Sequence, residues 1–259
     1  MEYKVINENN VRYIILPELE DLGLKHCFTT KDMNMSFINN SSTEEVINDH
    51  KIAFEFMNID PIEVFSSVQK HTNNISIIKD MNQGRKYEIG RVLDNNDGFV
   101  TNLKNIALIS KYADCTPIIL YDPIKKVHAN IHSGWKGTLK RIGACGVSAM
   151  INNYKSNPKD IIAVLGPNIC KDDFEVDIDV KDLFQSEFDF SKDIIFQKDN
   201  IKYLIDLHET NKRILLKMGL KEENISIIDI STKSNPMLHS FRRDKHKFGL
   251  MGVVTCLNY

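Results

Sequence analysis

Two uninterrupted apolar runs constrain this chain more than any other feature: "IALIS" at 106–110 and "TPIILYD" at 116–122. Without polar alternation, such runs belong to strands covered on both faces, so the fold must place a layer on either side of them. After Asp122-Pro123, "KKVHANIH" at 125–132 reads as the return strand of a hairpin. Further strands are expected in "VRYIIL" (11–16), "KHCFTT" (25–30), "DIIAVL" (160–165), "NISIIDI" (224–230) and "LMGVVTCL" (250–257). The segment 63–78 predicts two short strands around His71, and 85–102 an irregular, turn-rich connection ending in another strand. The period changes to that of a helix in three places. "SSTEEVINDHKIAFEFMNI" (41–59) has a Ser/Thr start with Glu45 just downstream and an apolar face of Val46, Ile47, Ile52, Ala53, Phe54 and Met57, ending near Asp60-Pro61. "TLKRIGACGVSAMINNY" (138–154) and "IDLHETNKRILLKMGL" (205–220) are the others. No repeat, low-complexity tract or linker divides them. The expectation is α+β: mixed β-sheets packed between helices in one layered sandwich, a single domain over 1–259.

A formal charge of −2 with scattered basic residues gives no electrostatic reason to bind nucleic acid or an anionic membrane. No run approaches the roughly 20 apolar residues of a membrane span, and the polar start does not read as a secretion signal. The ligand class left is a small molecule. Cys27, Cys115, Cys145, Cys170 and Cys256 are odd in number, spread out and free of any CxxC pair, which argues against a disulfide framework and fits a reducing cytoplasm.

The hairpin carries a distance argument. With its turn near Ile124, Cys115 falls opposite about Ser133, so Cys115 and His132 share the open end, whereas His128 sits deeper, opposite about Leu120. A helical reading would make His128 and His132 a metal pair four apart, but the HExxH motif needs a glutamate where Ala129 stands. Thiolate and imidazole are zinc ligands, and a catalytic zinc keeps three protein ligands and one open position. His71, at a strand end among turn-forming residues, is the best third candidate; His26, His50, His208, His239 and His246 have helical, terminal or charged settings. The residues alone leave open a buried inert cysteine near a core histidine.

"SVQKH", "DGFVTN", "YADCTPIILYD", "HSGWKGT", "GPNICKDDFEV" and "SFRRD" follow one another in the order seen in the laccase-domain or polyphenol-oxidase-like proteins, which this chain resembles from about Phe28 to Leu257. "ADC" followed by "HSGWKGT" is the specific part. The resemblance implies a fold similar to bacterial deamidase toxin catalytic domains and a zinc ion on His71, Cys115 and His132. It further implies phosphorolysis of adenosine, inosine, guanosine and methylthioadenosine, with adenosine deamination as a side activity in which the metal activates water. The chain departs from the family at Lys31, Ser231 and Leu250, where an arginine, a cysteine and an arginine are common, and Lys31 lacks the bidentate fork of arginine.

For that chemistry, the amides of "SGWKGT" leading into a helix at Thr138, with Lys136 beside them, are a candidate anion cradle. Arg242 and Arg243 are candidates for charge-assisted contacts to phosphate, or for surface pairs with Asp244. Trp135 is a candidate purine platform or core filler; Gln69, Asp114 and Glu175 are candidates to orient a ligand, bind ribose or move a proton. A multicopper oxidase needs paired histidines around several coppers, and the eight here include no HxH; copper would enter by substitution at the single site. Two other classes compete: a metal-free cysteine hydrolase using Cys115 and His132, and a non-catalytic zinc-bearing partner protein.

Overall fold

The computed structural model describes residues 1–37 and 42–258. The two apolar runs lie inside two different sheets stacked face to face. Ile106–Tyr112 belongs to an eight-stranded sheet, antiparallel to Met251–Leu257 on one side and parallel to Glu63–Val68 on the other. Thr116–Asp122 belongs to a six-stranded sheet, antiparallel to both Val127–Ser133 and Ile162–Leu165. A three-stranded sheet of Glu175–Val176, Tyr203–Ile205 and Ile195–Gln197 adds to the periphery.

The period-2 geometry of a strand explains the layering. Along Val127–Ser133, Val127, Ala129 and Ile131 face outward into a core shared with Val147 and Met150 of helix Ile142–Tyr154 and Leu215 of helix Leu207–Lys217. His128 and Asn130 face the other sheet, where His128 Nδ1 lies 3.0 Å from Thr255 Oγ1 and Asn130 Nδ2 donates to the Leu108 and Val253 carbonyls. Phe28, Ile119, Tyr121 and Val253 fill the space between the sheets, each burial contributing about 1.5–3 kcal/mol. On the far side, Ala53 and Met57 pack on Ile109, Val254 and Cys256, so helix Thr43–Phe56 covers the outer face of the larger sheet. The order is helix, sheet, sheet, helices, an α+β layered sandwich.

Helix Thr43–Phe56 starts with a full capping box between Ser42 and Glu45, worth about 1 kcal/mol. It stops before Asp60, because Asn58 turns left-handed at φ 51. Ser41, in the same expected start signal, lies outside the described residues.

Three other local expectations are corrected. The hairpin register is displaced by one residue: Thr116 faces Ser133 and Tyr121 faces His128, which leaves Cys115 one step beyond the last pair. The stretch 138–154 is not one helix. A one-turn helix Trp135–Leu139 begins three residues before Thr138, and Arg141 at φ 55 separates it from Ile142–Tyr154. Thr138 bonds Ser133 and Asn211, pinning the short turn to the strand and to the neighbouring helix, so the chain must restart at a new angle. The connection 85–102 contains two paired strands, Arg85–Tyr87 and Gly90–Asp94. Gly90 permits this: at φ 144, a Cβ there would meet the Val64 carbonyl at 2.3 Å. Among the described residues, no helix is long and apolar enough to cross a membrane.

Candidate metal centre and the cavity around it

Three chain segments meet at the open end of the hairpin. Cys115 precedes strand Thr116–Asp122, His132 is the penultimate residue of Val127–Ser133, and His71 lies in the loop after Glu63–Val68. One ligand atom from each lies within 4.8 Å of the others. Cys115 Sγ is 3.7 Å from His71 Nε2, and the two imidazole rings stand 5.0 Å apart at 72°. Gly134 makes the approach possible, since a Cβ on it would sit 2.5 Å from His71 Cδ2 and 2.9 Å from Cys115 Sγ.

Asp97 organises the cluster. Its carboxylate accepts the backbone N–H groups of Lys70, His71 and Thr72, the Thr72 hydroxyl, and His132 Nδ1 at 3.0 Å. These bonds hold His71 in a left-handed conformation, φ 57, which costs an L-residue about 1–2 kcal/mol. They also fix the tautomer of His132, since Nδ1 on a carboxylate leaves Nε2 for a metal. Burial alone would raise the Asp97 carboxyl, but the bonds from His132 and Thr72 outweigh it and hold the group well below the usual range. Burial would likewise raise the Cys115 thiol, and His132 and His71 reverse that to a lowered value. His132 is raised despite burial, through Cys115 and Asp97. Without metal the neighbours thus favour the charged forms of both groups, thiolate and imidazolium; with one, the cluster is the donor set S, N, N that suits zinc. Asp97 opens the "DGFVTN" segment that carries part of the resemblance, but its residue type in a turn-rich stretch gives no sign of this role, and it is not among the candidates read from the sequence.

The cluster opens on a cavity of about 680 Å³. Of the candidates read from the sequence, Gln69, His71, Asp114, Cys115, His132, Trp135 and Arg242 line it; Lys31, Lys136, Thr138, Glu175 and Arg243 do not. Lys31 borders a separate cleft with Asp32, Asp49 and His239. Arg243 is held by Asp244 and by the Thr232, Lys233, Asn235 and Leu238 carbonyls. Glu175 pairs with Lys198 and Lys202 at the surface. Lys136 is exposed, with its ammonium 5.3 Å from the Trp135 ring centre. The Thr138 amide is already spent on the Gly134 carbonyl.

Within the cavity, Gln69 clamps both backbone groups of Lys111. Both carboxylate oxygens of Asp114 are bonded, one to the Thr232 hydroxyl and one to the Arg242 N–H, both at 2.6 Å. Trp135 also packs on a cluster containing Ile169 and Phe174. The Arg242 guanidinium lies 5.6 Å from the Phe174 ring centre and donates to the Glu175 carbonyl. Leu250 stands in the cavity wall, and Ser231 bonds Asp173 outside it. Sequence reasoning missed Lys111, a cavity-lining ammonium pushed down to about 8 by burial; its signal was a lone cation closing an apolar strand.

Residues 25–258 match the family model described as multi-copper polyphenol oxidoreductase laccase, and the chain belongs to that family. Among curated proteins it is 35% identical over 210 residues to purine nucleoside phosphorylase YlmD of Bacillus subtilis, covering 80% of this chain and 75% of that one. It is 34% identical over 134 residues, 51% of each chain, to adenosine deaminase RL5 of an unknown prokaryotic organism. Its fold superposes with a TM-score of 0.88 on the crystal structure of hypothetical protein YfiH of Bacillus licheniformis, 26% identical over 97% of this chain and 100% of that one. YlmD from Geobacillus stearothermophilus gives 0.89 at 21% identity, with both chains fully covered.

Proposed function

We infer that this chain, acting as one laccase-like domain over 1–259, is a zinc-dependent purine nucleoside phosphorylase, releasing free base and ribose 1-phosphate and also deaminating adenosine. The single observation that carries this reading is the S, N, N cluster at the wall of a cavity large enough to admit a small molecule such as a nucleoside and also lined by cations. The relatives named for phosphorolysis and deamination of purine nucleosides supply the substrate class.

His71, Cys115 and His132 would hold the metal, which when bound would supply Lewis-acid chemistry at the cavity wall. The group has three protein donors among the described residues, which favours a catalytic over a closed, purely structural centre. Asp97 keeps His132 oriented throughout. Trp135 and Phe174 offer flat apolar faces for the base. Arg85, Lys111 and Arg242 are the cations that line the cavity, and phosphate binding falls to them rather than to Lys31 or Arg243. Lys111 suits the role because a buried ammonium gains most from an anion. Three histidines in all the candidate metal groups are too few for a multicopper oxidase, so any copper would occupy the same cluster by substitution.

The test is a nucleoside panel assayed with and without phosphate on wild type and Cys115→Ala. Phosphate-dependent base release that falls to background in the variant is expected; release indifferent to phosphate, or intact in the variant, sinks the reading. Lys111→Met should raise the KM for phosphate more than that for nucleoside. One observation favours a second reading: Cys115, His132 and Asp97 form a Cys–His–Asp series with a lowered thiol, the arrangement of a cysteine hydrolase. Activity that survives complete metal removal would select it.

A further inference from the structure

A second set of soft and borderline donors meets away from the cavity cluster. Cys170, His208 and Asp229 each present a ligand atom within 4.8 Å of the others. They come from three elements: the loop after strand Ile162–Leu165, the first turn of helix Leu207–Lys217, and the segment after strand Ile225–Ile227. Because those two strands run parallel and adjacent, the loops at their ends are brought together. His208 is buried at 6% exposure, and its Nε2 lies 2.8 Å from the Gly166 carbonyl. That bond makes Nε2 the protonated nitrogen and leaves Nδ1 with its lone pair, the outer support a metal-bound histidine ordinarily has. The Cys170 thiol points at Asp229 Oδ1, 3.4 Å away, and the negative charges of Asp206 and Asp173 act on it as well. A cation placed there would meet a thiolate, an imidazole and a carboxylate in a field already favourable to positive charge, with exposed Asp229 leaving a side open to water.

We propose that Cys170, His208 and Asp229 form a second binding site for a divalent cation of the zinc class, separate from the cavity cluster. Binding replaces the thiol proton, which leaves to solvent. The site ties the 166–170 loop to the helix and to residue 229. The same loop holds the cavity wall: the Ile169 N–H donates to the Asp114 carbonyl, and the Thr232 N–H to that of Asn168. A cation at the second site therefore braces Asp114 and Thr232 from behind.

The test uses the full chain carrying Cys115→Ser, so that it does not depend on the function proposed for the cavity cluster. After chelation, titration with cobalt(II) is expected to develop a thiolate-to-cobalt charge-transfer band in the near ultraviolet, and the band should vanish in Cys115→Ser/Cys170→Ser at unchanged circular dichroism. Cys115→Ser/Asp229→Asn alters an exposed position that folding tolerates; it should weaken cobalt uptake by at least the roughly 10-fold that losing even an outer support costs. No band in Cys115→Ser, a band that survives Cys170→Ser, or unchanged affinity in the Asp229→Asn variant overturns the proposal.

Discussion

His128 and His132 stand four residues apart on one strand and on the same face of it, yet their surroundings drive them in opposite directions. His128 lies midway between the sheets with a threonine hydroxyl on Nδ1 and, among the described residues, no partner on Nε2. Burial pushes it down to about 3, so it stays neutral. His132 is equally enclosed but meets Asp97 and Cys115, which raise it. Enclosure alone keeps a histidine neutral; enclosure beside a carboxylate and a thiol favours its protonated form.

Exchanging the two positions for alanine should separate them most sharply. His132→Ala is expected to abolish base release and metal retention, whereas His128→Ala should leave both near wild type and cost about 1–3 kcal/mol of unfolding free energy through the lost bond to Thr255 and the space left between the sheets. Equal loss of activity in both variants would break the comparison. Asp97→Asn comes next. Metal affinity should fall about 10–100-fold, because His132 loses the carboxylate that orients it, and a metal titration of the variant checks it.

Smaller effects concern pH. His26, His50 and His128 all sit below their ordinary 6.5, at about 4, 4 and 3. The unfolded chain therefore takes up their protons first, and the stability they contribute is full above pH 6.5 and declines as pH falls toward their folded values. Removing His128 should flatten that acid limb by up to about 1.4 kcal/mol per pH unit, measurable by denaturant titration between pH 6.5 and 4. His132 has the reverse sign: in metal-free protein its contribution is present below 6.5 and disappears as pH rises through its raised range. The smallest shift to detect is kinetic. Iodoacetamide should alkylate Cys115 in metal-free protein with a midpoint near pH 6, not the 9 of an ordinary thiol, and zinc should protect it. A midpoint near 9 would mean the pair is not formed.

The layered sandwich was legible because buried strands announce themselves as unbroken apolar runs, and the hairpin then brought Cys115 and His132 together by counting. A register error of one residue did no harm, since both side chains hang from the same open end. His71 stands out from the residues only as the best of several histidines, since loop residues carry no period from which to compute a meeting point, and the family resemblance is what singles it out as a ligand. Asp97 opens the quoted "DGFVTN" segment, yet its role escapes a reading of the residues for a different reason: it exists only once the backbone of 70–72 has curled around it. Lys31 and Arg243 show the converse. Each stands near a recognisable motif, and neither faces the cavity, because nearness along the chain does not fix which way a side chain leaves the backbone.

The curl of amides around Asp97 has one more consequence. Its hydrogen bonds are made entirely within the polypeptide, so the socket owes its shape to folding and not to the ion. A finger-type zinc domain collapses when its metal is chelated; a socket shaped by its own chain should instead stay folded when emptied, its melting temperature dropping only by what binding to the native state contributes.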